Sequence, residues 1–210
     1  MKVRKMNLNS KRLSQIILLG PFAVFMASGC ISFAGLELPI YTNEQLAAPG
    51  EKISVSYDVM VFQGTNPRDA TAAAQRIERV LSASPLFVEL KTGTGQGDYH
   101  YSFVLRSAVM PSEFIVFMNG VFTAATFYVI PFYARDIFIM TVVVKKDDYV
   151  LKTYNYKDHT DSWVQLILLF LMPFNFPPMV YDSVMDNMIM NFAHDFSSDL
   201  QSGVYRAQQH

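Results

Sequence analysis

Cysteine is all but missing from this chain: Cys30 is the single thiol in 210 residues. One cysteine cannot close an internal disulfide or build a paired-thiol metal site. Histidine is scarce as well. The four present, His100, His159, His194 and His210, show no HExxH spacing. A GxSxG turn is absent, which removes the commonest serine-hydrolase signature. Asp147-Asp148, Asp158-His159 and His194-Asp195 are acidic or mixed pairs that read as solvated polar positions rather than ligands. The sequence therefore offers no catalytic residue and no metal set, calls for no cofactor, and reads as a non-enzyme.

Long uninterrupted apolar runs are also lacking. A helix crossing a bilayer core needs about 20 consecutive apolar residues. Phe114 to Ala134 carries no charge, but Asn119, Gly120, Thr123, Thr126 and Pro131 dilute it. Trp163 to Met172 is shorter, and Pro173, Asn175, Pro177 and Pro178 follow it directly. That run reads as a short helix that is buried, docked on a partner or lying at a membrane surface. Trp163, Phe170, Phe174 and Phe176 are its candidate contact residues, being the types that favour interfaces.

What is present is concentrated near the start. Lys2, Arg4, Lys5, Lys11 and Arg12 form a basic leader without an acidic residue, and an 11-residue run, Ile16 to Met26, follows it. This is the layout of a secretory signal, and the run is too short for a lasting span. It ends in Ala27, Ser28, Gly29 and Cys30. Those four residues resemble the lipobox of bacterial lipoproteins. The resemblance implies cleavage between Gly29 and Cys30, acylation of the Cys30 thiol, and a cell-envelope location. Ile31, standing where Asp would favour inner-membrane retention in that family, points to the outer membrane facing the periplasm. Acylation would also account for an odd thiol in an oxidising compartment. An ordinary cleaved signal with an unrelated cysteine is the alternative.

Loss of the leader removes five of the 17 basic residues and none of the 18 acidic ones, so the remainder is acidic by six. Nucleic acid is a poor partner for such a surface, because phosphate binding needs clustered Lys and Arg. Residues 30–50 hold Pro39 and the Pro49-Gly50 pair without clear periodicity and read as a tether. A domain over 51–204 follows, then a short tail, 205–210.

Within the domain, Ile53, Val55, Tyr57, Val59 and Val61 alternate with polar residues and predict a strand. Pro67 opens a helix to about Ala83, whose Arg68, Arg76, Glu78 and Arg79 face away from its apolar stripe. A strand with Leu86, Val88 and Leu90 inward comes next. Gly93 to Asp98 reads as a hairpin loop, since a phosphate cradle would need a helix after it. Tyr99, Tyr101, Phe103 and Leu105 line another strand, and Asp136–Val144 with Tyr149–Tyr156 form a hairpin about Lys145–Asp148. The last helix, from Pro178 with Gly203 as its stop, buries Val180, Val184, Met185, Met188, Ile189, Phe192, Phe196 and Leu200.

This order predicts one α+β domain with a mostly antiparallel sheet, helices on one face and a long amphipathic C-terminal helix. In outline it resembles envelope lipoproteins with a TolB amino-terminal-like or lipopolysaccharide-assembly-type α/β sandwich. The functional expectation is a lipid-anchored scaffold or assembly component of an envelope or secretion complex. Its partners would be membrane lipid through Cys30 and an envelope protein or a second copy. Two alternatives stand beside it: a carrier whose cavity Phe114–Ala134 and Trp163–Phe176 line, and an integral protein with spans near 114–134 and 163–181.

Overall fold

Two long strands decide the architecture. Phe132–Lys146 and Tyr149–Gln165 pair antiparallel from end to end about a tight turn, where Asp147 adopts φ 48°. They are the fifth and sixth strands, β5 and β6, of a single six-stranded sheet. The others are β1 (Gly29–Ala34), β2 (Ile53–Phe62), β3 (Phe87–Thr92) and β4 (Tyr99–Met110). The helices are α1 (Pro67–Ser82), α2 (Glu113–Ala125), α3 (Pro177–Ser202) and a closing turn, α4 (Val204–Ala207). The computed structural model describes residues 29–46, 52–62, 67–93, 97–126, 129–147, 149–165, 168, 171 and 173–207.

The strand order is β1-β6-β5-β4-β2-β3. β2 runs parallel to β3 and β4, and the remaining pairs are antiparallel. The chain is thus a single α+β domain on a mostly antiparallel mixed sheet, as its element order indicates. Alternation puts Val55, Tyr57, Tyr101, Phe103, Met140 and Val142 on one face, all buried under α1 and α3. Phe192 on α3 meets Tyr101, Phe103 and Tyr154 edge-on, with ring centres 5.1, 5.5 and 5.5 Å away. Such T-shaped pairs add to burial because a ring's positive edge meets a negative face.

Polar bonds fix how α3 lies on the sheet. Tyr156 of β6 donates to Asp195 at 2.8 Å, and Tyr154 donates to Asp199, which also pairs with Lys152 at 2.5 Å. Burial first, then these carboxylates, push the phenol pKa values of Tyr154 and Tyr156 upward. At the other end of α3, Arg76 bonds the Asp182 carbonyl at 3.0 Å and its carboxylate, while Arg79 bonds Asp186 at 2.9 Å. Arg76 therefore does not face away, as the helix periodicity alone suggests. It fastens α1 to α3.

Several expectations need correction. The tether contains β1, an edge strand of the sheet, and Leu46 reaches the core at 4% exposure. The small inward residues Cys30, Ser32 and Ala34 gave β1 too weak an apolar alternation to be recognised. The tail also holds structure, since Tyr205 is buried and shares a hydrogen bond with Tyr154. In β3 the ladder slips between Ile53 and Ser54, so Leu86 and Phe87 are buried while Val88 points to solvent.

Gly93–Asp98 is not a hairpin loop. Gly93 bonds Tyr57 and Asp98 bonds Ser54, on opposite edges of β2, so the connection crosses that strand. Gly97 lies against its backbone, where an added Cβ would come 2.7 Å from the Ser56 nitrogen. The helix expected from Trp163 begins instead as the end of β6, because Trp163 and Val164 are paired on both sides, by β1 and β5. No described helix is long and apolar enough to cross a membrane.

Two substitutions test this packing. Phe192→Ala should lower unfolding free energy by about 3–5 kcal/mol, the usual cost of emptying a fully buried aromatic site. Gly97→Ala should cost about 1–3 kcal/mol through backbone displacement. Urea titrations of both variants measure these values, and a Gly97→Ala change within about 0.5 kcal/mol of wild type would contradict the crossover geometry.

Candidate functional site

The site is one end of the sheet. At the open end of the β5–β6 hairpin, Phe132 lies beside Val164, and Val164 lies beside Cys30 of β1. These three residues form one row on the same face. Above it sits α2, which follows β4 and leads back to β5. Phe132 and Val164 line a shallow hollow with Val116, Gly120, Val121 and Thr123 of that helix.

The orientation of α2 is reversed with respect to a normal amphipathic helix. Val116, Gly120 and Thr123, spaced four and three apart, turn inward, and Thr123 is buried. Phe114, Phe117 and Phe122 turn outward, at 71%, 66% and 60% exposure, with Ile115 and Val121 beside them. A surface helix ordinarily does the opposite. Beyond its end Val129 and Ile130 are exposed too. The cause lies in the sequence: 114–134 contains no charge, so no rotation of α2 could hide its apolar side chains on a single contact line.

A second apolar segment joins this end. The Ser32 amide of β1 donates to the Asn175 carbonyl at 3.0 Å, which holds the stretch before α3 against the sheet edge. Phe174 there is 81% exposed, and Leu171 and Phe176 are also open. Of the contact residues read from the sequence, Trp163, Phe174 and Phe176 thus lie at one end with Cys30, while Phe170 falls outside the described residues. Trp163 is on the opposite face of the sheet, packed on Tyr133 with ring centres 4.8 Å apart. Gly29 and Cys30, the expected cleavage pair, are the first two residues of β1, and Cys30 is half-buried. Burial pushes its thiol pKa up. Residues 1–28, including Ala27 and Ser28, lie outside the described residues.

On that opposite face an ion network braces the same end. Arg135 Nε and Nη2 donate to Asp161 at 2.7 and 2.9 Å, and Tyr133 Oη donates to it at 2.7 Å. The Arg135 bonds, with the Tyr133 bond added, hold the Asp161 carboxyl below its ordinary pKa. His159 is next to this group, with Nε2 3.6 Å from Asp161. It is buried in β6 rather than solvated, because Gly35 closes over its ring, and a Cβ at Gly35 would collide with it. His194 is likewise packed, stacked on Tyr41 at 3.8 Å.

Sequence motifs missed one cluster. The parallel register of β2 and β4 aligns Ser56 with His100 and Asp58 with Ser102. His100 Nδ1 lies 2.9 Å from Ser56 Oγ, its Nε2 lies 2.7 Å from Asp58, and Ser102 donates to Asp58 at 2.8 Å. A hydroxyl, an imidazole and a carboxylate in line are the groups of an activated nucleophile. Ser56, however, is 2% exposed beneath the loop that crosses β2, which closes its hydroxyl to a substrate. The cluster ties β2 to β4. Its signal was the run of small polar residues on the non-core side of both strands. Among the described residues no group of three acidic, histidine or cysteine side chains could hold a metal.

One cavity of about 410 Å³ lies between α1, α3 and the sheet, lined by Ile77, Leu105, Phe138, Met185, Met188 and Ile189. Neither Phe114–Ala134 nor Trp163–Phe176 contributes to it.

No family model matches this chain, and no curated protein matches it. Among solved structures, protein XCC0632 from Xanthomonas campestris, of the DUF330 family model, is 6% identical. The match covers 78% of this chain and 92% of that one, with a TM-score of 0.41. A PelC dodecamer from Paraburkholderia phytofirmans is 9% identical over 76% of this chain and 97% of its own, with a TM-score of 0.30. A second crystal form of that dodecamer gives 8% identity and the same TM-score, 0.30.

The Asp161 network gives a pH test with a definite sign. A carboxyl whose folded pKa lies below the unfolded value of 3.8 stabilises the fold above that pH. The contribution disappears as pH falls through the folded pKa. Asp161→Asn should therefore be less stable than wild type at about pH 6, with the gap shrinking below about pH 4. Unfolding curves across that range read it, and a gap independent of pH would remove the ionic explanation.

Proposed function

We propose that this protein is a non-enzymatic lipoprotein of the bacterial cell envelope, anchored through an acylated Cys30, that scaffolds or assembles part of an envelope or secretion complex. The observation that carries the reading is the apolar end of the sheet. Cys30 sits in one row with Val164 and Phe132, under a helix whose phenylalanines face outward. Such a patch on a folded domain marks an interaction surface.

The anchor is energetically sufficient. Each buried methylene contributes about 0.8 kcal/mol, and two acyl chains hold a protein where one gives only marginal binding. The leader, with its five cations and short apolar run, supports export. The placement is the outer membrane, facing the periplasm, with an envelope protein or a second copy as partner.

A carrier for a small apolar ligand is the second reading, favoured by the cavity between α1 and α3, whose size falls in the range of ligand pockets. Native mass spectrometry of the extracted protein separates the two: a co-purifying apolar molecule supports the carrier, a complex or oligomer the scaffold.

Growth with an alkyne fatty acid tests the anchor itself. Wild type should carry the label and Cys30→Ser should carry none, and an unlabelled wild-type protein with a free thiol in its intact mass would overturn the assignment.

A further inference from the structure

We infer that α2 and the segment around Phe174 form a bilayer-seating surface, which inserts its aromatic side chains among lipid headgroups and upper acyl chains. This deepens the lipoprotein reading, on which it rests only for the identity of the anchor.

The argument begins with where the chain enters the fold. Everything before Gly29 leads into the first residue of β1, at the sheet end that carries α2. Whether the membrane attachment is an acylated Cys30 or a retained leader, it reaches the domain at that end. The bilayer is therefore beside Phe132, Val164 and α2. No other large partner is brought to this position by the chain itself.

The chemistry of the surface fits lipid better than protein. Phe114, Ile115, Phe117, Val121 and Phe122 face outward, and Asn119 is the sole polar side chain among them. Protein interfaces carry roughly one hydrogen bond per 100–200 Å², and this face offers almost none. Glu113, the single charge on α2, stands in its first turn, where the helix dipole favours an anion and where it can remain in the headgroup region. No acidic or basic residue follows until Arg135, so insertion of the outward face would carry no charge into hydrocarbon. Phe174, held at the same sheet end through the Ser32–Asn175 bond, supplies a second point of contact. Two points beside an anchor fix orientation as well as attachment. Aromatic side chains at the membrane–water boundary are the residue types that serve this purpose.

The test uses the full-length protein purified from membranes and reconstituted in phosphatidylethanolamine–phosphatidylglycerol vesicles. An environment-sensitive dye is placed on a cysteine introduced at Phe117, at Phe174 or, as control, at Asp147. Emission from positions 117 and 174 should shift to the blue and lose at least half its intensity with shallow doxyl-labelled lipids. Position 147 should change by less than a tenth. The double variant Phe117→Glu, Phe122→Glu replaces exposed side chains, so it should keep the wild-type circular dichroism while abolishing the quenching at 174. A labelled Cys30 with no quenching at 117 overturns the seat and leaves the anchor standing. Quenching at 117 in a protein that is not acylated supports the seat and rejects the lipoprotein assignment. Crosslinking of position 117 to a protein, without lipid quenching, also overturns the seat.

Discussion

Everything in this molecule leans on the β5–β6 hairpin. Its ladder runs unbroken from Phe132–Val164 toward a tight turn at Asp147, with one irregularity near Lys145. β1 is hung on one side and β4 on the other. Its core face supplies Met140, Val142, Tyr154 and Tyr156 to the aromatic packing beneath α3. A strand pair this long could twist or slip. Its register is held because a shift of one residue would turn every buried side chain to the solvent side.

The hairpin also separates the two ends of the protein. Near its turn, Lys152, Tyr154 and Tyr156 pin the last turns of α3 through Asp195 and Asp199. At its open end, the polar work is confined to the face away from the helices, where Arg135, Tyr133 and Asp161 form one network. The other face there is apolar and incompletely covered. The helix over it turns a glycine and a threonine inward and three phenylalanines outward. Such an arrangement is stable only if something other than water meets those rings. In the proposed account that something is the membrane to which Cys30 is attached.

Much of the fold was legible because long elements carry strong periodicity. β2, β4, the hairpin and α3 with Gly203 at its stop follow from alternation, helical spacing and one left-handed residue, φ 72°. The shorter features were not. β1 presents Cys30, Ser32 and Ala34 inward, too small to register as a buried strand. The bulge that turns Val88 outward depends on pairing with β2 and has no local signature. The loop at Gly93 looked like a hairpin because two strands flanked it, and only the parallel pairing of both with β2 reveals a crossover. The candidate site was half visible. Its aromatic residues could be named, but their meeting at the Cys30 end required the register of three strands.

The central claim is one of orientation, so a distance tests it most directly. The turn at Asp147 lies about 45 Å along the hairpin from the Phe132–Val164 row, at roughly 3.3 Å per residue. In reconstituted vesicles, energy transfer from a donor at position 147 to a headgroup acceptor should report a closest approach of about 40 Å. A closest approach under about 20 Å would mean the hairpin lies flat or inverted, and the account of a membrane-facing end would fail.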